Sequence, residues 1–352
     1  MSVITKTPPV KQTRPWAASP LDRAITASSV VLAAIISISV VFATPMKGKL
    51  AYFFVFYISW ILVDSVLMYR KSGNKGVRDG LAAKVTLFGA LIVMMAVGSI
   101  LFATISRGIK GINFAFLTQT MHNATLFDPI GKGGIAHAIL GTVTLIAIAV
   151  VISVPMGILT ALYLTEIKGR ASGLIQFLVQ AMSGVPSVVA GLFIYAAIIL
   201  NTPLRSSAFL GGLALTILMV PTVTRTAQEV LNLVPRDLRE AGLAMGATQW
   251  KTVALVVVPA ARSGLITATI LGVARIAGET APLLFTVGVF DTYNFNPFKG
   301  DTGAIPTVVW RGLLGGTSES IQRAWSAIMV LLVVVLIMFI VARRLGSRAM
   351  KK

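Results

Sequence analysis

The sequence predicts an all-α polytopic membrane protein, and three observations carry that expectation. Eight apolar runs of about 20 residues each cover 24–44, 50–69, 83–106, 136–163, 174–200, 207–231, 262–288 and 324–342. Hydrophobic residues make up 56% of the 352-residue chain and charged residues only 12%, with a mean hydropathy of +0.85. That balance is too apolar for a soluble domain. A helix of roughly 20 residues crosses a hydrocarbon core of about 30 Å. Because a spanning segment must satisfy its own backbone polar groups, helices are the form these runs take.

The elements follow in order. Residues 1–23, with Pro8, Pro9, Pro15 and Pro20 among scattered charges, are expected to form a disordered tail. The first run follows a polar leader too long for a signal peptide and is read as an uncleaved helix. A tight turn at Pro45-Met46-Lys47-Gly48 joins it to the second, so 24–79 reads as a transmembrane hairpin plus a flexible basic linker, Arg70 to Arg78. Residues 80–345 read as a six-helix core, with long outside loops at 107–135 and 289–323 and a polar loop at 232–261. Residues 346–352 are a basic tail. Pro186 and Pro221 mark spans able to bend. Asp64, one and a half turns before Arg70, is expected to pair with it at the interface. His122 and His137 lack ligand-like companions, so no metal is expected, and the absence of cysteine excludes disulfides.

Lys and Arg set the orientation. With the N-terminus inside, 20 of the 31 fall in inside segments and nine in outside loops, which places both termini and the 232–261 loop in the cytoplasm. The net charge of +19 flanks apolar spans and suits anionic lipid headgroups, not nucleic acid.

The 232–261 loop has its own local logic. Pro235 suits the first position of a helix, and Asp237 the positive end of its dipole. Leu238, Ala241 or Gly242, and Met245 recur on one face. Gly246 is placed for a left-handed cap, and Thr248 to cap a second helix beginning at Gln249. A headgroup-resting amphipathic linker is one reading of this pattern. The segment also resembles the EAA loop of ABC-importer permeases, through Glu240-Ala241-Gly242, Gly246 and the closing Val256-Val257-Val258-Pro259. Gly242 replaces the second Ala of the motif, and the valines replace its Ile-x-Leu. The resemblance implies docking onto a separate ATPase through Glu240, Ala241, Gly242, Gly246 and Pro259.

Charges within the spans point the same way. Arg275 lies near the middle of the seventh run, where a cation costs at least about 2.5–3.5 kcal/mol, and Glu279 follows on the same helical face. A self-neutralising pair and a substrate-facing pair are both open. Arg225, beside Thr222, Thr226 and Glu229, reads either as pathway-lining or as packed with Glu229. The string Ala274-Arg275-Ile276-Ala277-Gly278-Glu279-Thr280-Ala281-Pro282-Leu283 is similar to the signature of phosphate-importer permeases of the PstA type, with likeness over 83–345. That resemblance implies a type I ABC-importer permease of the bacterial inner membrane. It implies a path lined by Arg275, Glu279, Arg225, Thr280 and Glu229. It also implies assembly with a second related permease, two ATPase subunits and an extracytoplasmic phosphate-binding protein. A guanidinium fork suits a tetrahedral oxyanion, and Glu279 can accept the O–H that hydrogen phosphate carries and sulfate lacks. The chain has no P-loop, so ATP must be hydrolysed in trans, and no hydrolase motif, so no enzyme and no cofactor are expected. A sulfate or molybdate permease, an ATP-independent carrier or channel, and a plain membrane anchor are the competing readings.

Overall fold

A computed structural model describes residues 20–45 and 48–348. The expected tail up to residue 19, Met46-Lys47 of the first turn and residues 349–352 lie outside them. The chain forms two compact units, divided after Ile100.

In the first unit, α1 (Pro20–Ala43) is followed by α2 (Lys49–Gly108), which is interrupted at one residue, Gly73 (φ 61, ψ −154). Contacts across that residue run antiparallel. Phe53 lies 6.2 Å from Phe88 ring to ring, Tyr57 lies 4.5 Å from Phe88, and Gly76 packs against the Met68 carbonyl. A straight helix would separate Phe53 and Phe88 by roughly 50 Å, so α2 is a hairpin of two arms. The expected flexible linker 70–78 is therefore helical on both sides of a one-residue turn. Glycine permits this turn because a positive φ combined with a ψ of −154° is a region that residues with a Cβ essentially do not enter. Among the described residues, six stretches are long and apolar enough to cross a membrane, and a bent pair adds a seventh. The folded stretch Ala51–Gly111 counts once there, so its two arms restore all eight apolar runs.

The hairpin is pinned by a buried polar cluster. Lys84 donates to Asp64, whose other oxygen accepts from Ser29 at 3.1 Å. Trp60 donates its indole N–H to Ser29, and the Tyr57 hydroxyl donates to the Lys84 carbonyl. Asp64 thus pairs with Lys84, not with Arg70 as expected, because the turn at Gly73 brings the two arms face to face. Removing one member of a buried pair strands the other charge, at about 3–5 kcal/mol, whereas replacing both with apolar residues is often neutral. Lys84→Met is therefore expected to lower the melting temperature of the purified protein, and Asp64→Leu/Lys84→Met to restore it. Equal melting of the single variant and the wild type would show that the cluster does not hold the hairpin.

In the second unit a short α3 (Phe114–Thr118) precedes α4 (Ala136–Leu162), and α7 (Ala208–Asn232) is the central helix, packed between α4 and α10 (Val258–Ala277). Small residues set the approach. Gly157 of α4 lies against Val223, while Gly264 and Gly272 of α10 lie against Val230 and Val223. The last two pairs make α7 and α10 antiparallel and place Gly272 opposite the midpoint of α7. Leu145, Leu218, Met219, Val223 and Ile276 fill the core between them.

The fifth apolar run is not straight. It breaks into α5 (Ser172–Ser183) and α6 (Ser187–Ile194, continued by a π-helical turn to Ile199), bent by 103° at 184–186. Pro186, extended at ψ 139, donates no N–H, and it biases Val185 away from helical backbone. Pro221, by contrast, sits inside an unbroken α7.

At the far end from residues 232–261, the expected loop 289–323 contains α12 (Ile305–Gly315) and the start of α13 (Ser318–Arg348). The signal was present: Pro306 in the first turn and Gly316 in a left-handed stop (φ 70) bracket an apolar stretch. There Arg323 is 1% exposed, and its guanidinium donates to the carbonyls of Asp128 (3.1 Å), Pro129 (2.8 Å) and Lys132 (2.7 Å). Arg311 pairs with Asp291 at 3.0 Å in the same region.

Candidate functional site

Two regions hold the residues singled out from sequence. The first is α8 (Arg236–Ala244) with α9 (Gln249–Thr252). Pro235 is the N-cap, one residue earlier than expected, and Asp237 lies in the first turn. At the other end Gly246 (φ 78) donates to the Leu243 carbonyl, and Ala247 donates to that of Gly242. These two bonds are the Schellman closure that a left-handed glycine allows. Thr248 caps α9 through the Lys251 N–H. A π-helical turn (253–257) leads into α10, with Pro259 at its second position. Pro259 offers no N–H to the Leu255 carbonyl and crowds it, and the wider π turn accommodates that carbonyl.

The expected apolar face divides. Gly242 is half-buried against Thr252, whereas Leu238, Leu243, Met245 (87% exposed) and Trp250 (63%) point outward. Glu240, Ala241, Gly246 and Pro259 are also exposed. Single exposed apolar residues are ordinary, but a cluster of them rimmed by charge marks a contact surface. Beside it opens a cleft of about 560 Å³ lined by Glu166, Lys168, Arg236, Arg239 and Glu240 among others.

One residue of this region was missed in the sequence. Glu166, in the π-helical turn after α4 (Tyr163–Ile167), receives Arg239 through two bonds of 2.9 and 2.7 Å. The same guanidinium donates to the carbonyls of Val234 (2.6 Å) and Leu231 (2.8 Å), and Gln249 donates to the Glu166 carbonyl. The hydrogen-bonded Glu166 carboxylate raises the Arg239 pKa further, so its charge is permanent. Two residues 73 positions apart leave no periodic trace, so only the paired charges themselves hinted at this contact.

The second region is the motif following α10. The seventh run was expected to be helical through 288, with Arg275 and Glu279 on one face. Instead α10 ends at Ala277, Gly278 turns the chain, and a short α11 (Leu283–Thr286) follows. Pro282 and its effect on Ala281 exclude continuation, and the break separates Glu279 from Arg275. Among the described residues, neither Arg275 with Glu279 nor Arg225 with Glu229 forms an ion pair. Arg275, Arg225 and Glu229 are exposed, and Glu279 and Thr280 half-buried. Depth follows from the register: Gly272 faces the midpoint of α7, so Arg275, one turn on, lies within the spanning layer. Pro282 packs onto Gly191 of α6, where a Cβ would come within 2.5 Å of its Cα. The broken end of α10 therefore meets the other broken span.

Irregular backbone at membrane depth is tolerated where it is enclosed by protein or lines a water-filled cavity. Two broken helices meeting beside a guanidinium, with a charged helix exposed at one end of the bundle, are the parts of a membrane transporter component. The chain belongs to the family of binding-protein-dependent transport system inner membrane components, whose family model matches residues 153–351. It is a multi-pass inner-membrane permease subunit, not an enzyme. Among its relatives, the phosphate transport system permease protein PstA 1 of Mycobacterium tuberculosis is 40% identical over 204 residues, 58% of this chain and 67% of that protein. PstA of Mycobacterium leprae is 33% identical over 275 residues, 78% and 90% of the two chains. PstA of Pasteurella multocida is 37% identical over 250 residues, 69% and 85%. Of solved structures, an inward-facing MetNI methionine ABC transporter aligns at TM-score 0.45 and 19% identity over 62% of this chain and 93% of that one.

Proposed function

We propose that this chain forms half of the translocation path of an ATP-driven importer for inorganic phosphate. The observation that carries this reading is Arg275, exposed within the spanning layer at the break that ends α10. A helix C-terminus presents partial negative charge to whatever passes it. An anion crossing beside α10 is therefore repelled unless a fixed cation outweighs that end, and a guanidinium is such a cation. An exposed arginine at this depth is costly against lipid, so it faces water or a second, related permease. Glu279 and Thr280 at the break, and Arg225 and Glu229 lower on α7, line the same route. The relatives' names supply phosphate as the anion. In this reading the α8 end and both termini are cytoplasmic. There the exposed surface of α8 and α9 seats one of two ATPase subunits, and a phosphate-binding protein delivers from the opposite side.

The test is ATP-dependent uptake of radiolabelled phosphate into cells carrying wild type or Arg275→Gln, with excess sulfate as competitor. Uptake that sulfate does not inhibit, and that falls by at least about tenfold in the variant, is expected, since losing a charged hydrogen bond costs roughly 1.5–3 kcal/mol. Uptake driven by an ion gradient without ATP would overturn the reading, and inhibition by sulfate would reassign the anion.

A further inference from the structure

We infer that the Glu166–Arg239 pair is the positioning clasp through which α8 moves the inner ends of α4 and α7; the inference depends on the ATPase-docking reading of α8 given above. Outside this pair, α8 is held by surface packing alone. None of its nine residues is buried, and it packs mainly on α9, where Gly242 meets Thr252, and on the turn 253–257 that follows. Among the described residues, Arg239 forms the only ion pair between α8 and another element.

Arg239 ties α8 to two other elements at once. Its fork grips Glu166, whose side chain is 6% exposed, and its remaining N–H groups hold the carbonyls of Leu231 at the end of α7 and Val234 just after it. Gln249 of α9 joins the same residue through the Glu166 carbonyl at 2.6 Å. Partly buried ion pairs add little net stability. What a planar, bidentate guanidinium supplies is fixed orientation, so the clasp specifies where α8 stands relative to α4 and α7.

The local backbone suits a moving part. Glu166 sits in a π-helical turn that ends at Lys168 in a left-handed conformation (φ 51), uncommon for a residue with a side chain. The facing segment, 253–257, is a second π-helical turn. Such turns are wider than an α-helix and recur at functional sites. A displacement of α8 is passed by the clasp into a segment of α4 that is already off regular helical register. From there it reaches Gly157 of α4, which packs on Val223 of α7, two residues before Arg225.

The test uses the complete transporter, purified with its ATPase subunits, reconstituted and supplied with phosphate-loaded binding protein. Three quantities are read: ATPase subunits retained, ATP hydrolysed, and radiolabelled phosphate moved. Glu166→Gln keeps the shape and removes the charge; Arg239→Lys keeps the charge and removes the fork. Each is expected to retain the ATPase subunits and to lower phosphate moved per ATP by about tenfold, within the range of coupling between linked sites. The double variant is expected to be no worse than the poorer single one, because both break one contact. An unchanged ratio in both single variants would overturn the inference, as would effects that multiply in the double variant. Loss of the ATPase subunits from either would also overturn it, by making the pair part of the docking surface. Failure of the docking reading looks different: a transporter carrying Leu243→Asp, a change at an exposed residue of α8, would still retain its ATPase subunits.

Discussion

Replacing Arg323 with methionine is expected to destabilise the protein by about 2–4 kcal/mol and to loosen residues 119–134. The sign is not obvious, because a buried guanidinium without a hydrogen-bonded carboxylate carries a desolvation cost that methionine removes. The carbonyls decide it. Pro129 keeps a second donor, the Lys132 N–H at 2.9 Å, but those of Asp128 and Lys132 lose the donor that Arg323 supplies. These carbonyls are only part-buried, so leaving them without a donor costs towards the lower end of the roughly 1–3 kcal/mol for an unpaired group, and methionine does not fill the space of the bulkiest fully buried side chain among the described residues. Arg323→Lys separates fork from charge, since a lysine ammonium cannot reach three carbonyls spread over 128–132. Thermal melting of the purified protein should fall by roughly 5–10 °C in Arg323→Met, with new proteolytic cleavage at 119–134 and a smaller shift in Arg323→Lys. Unchanged melting in both variants would show that water replaces the guanidinium at no cost.

The residues that were easy to read are those whose partners lie within a few positions. Gly246 and Thr248 announce the end of one helix and the start of another through chemistry confined to residues 242–251. Apolar runs mark crossing segments because bilayer thickness fixes their length. The breaks at 184–186 and 278–282 were harder, since Ala277, Ala281, Leu283 and Leu284 keep the chain apolar straight through the interruption. Hydropathy measures transfer to lipid and is insensitive to direction, so a span and a bent pair look alike; Gly278 and Pro282 were the available signs. Pair choices such as Asp64 with Lys84 or Glu166 with Arg239 were out of reach, because a turn at Gly73 or the packing of α4 on α7 has to exist first. The proposed path residues belong to the same class. Arg275 stands out in the sequence by its cost, but what faces it is supplied by depth and by the break in α10.

Glu240→Lys is expected to leave the protein inserted and folded while lowering phosphate uptake by at least roughly thirtyfold, the factor that 2 kcal/mol represents. Two effects compete, and their sizes differ. Within the chain Glu240 is exposed and, among the described residues, in no ion pair. The lysine would stand one turn from Arg236, and a like-charge neighbour at that spacing costs a helix only about 0.2–0.5 kcal/mol. Folding therefore changes little. Across an interface the same reversal is severe, because a misplaced charge must be desolvated opposite a partner arranged for the other sign, at about 2–5 kcal/mol. Membrane level, ATPase co-purification and uptake measured on one set of cells separate the two effects. Normal level with lost ATPase and lost uptake places Glu240 in the docking surface. Glu240→Gln should fall between the two, since it removes the charge without reversing it. Retained uptake in Glu240→Lys would remove α8 from the coupling role, leaving the exposed Met245 and Trp250 to be explained by contact with lipid headgroups.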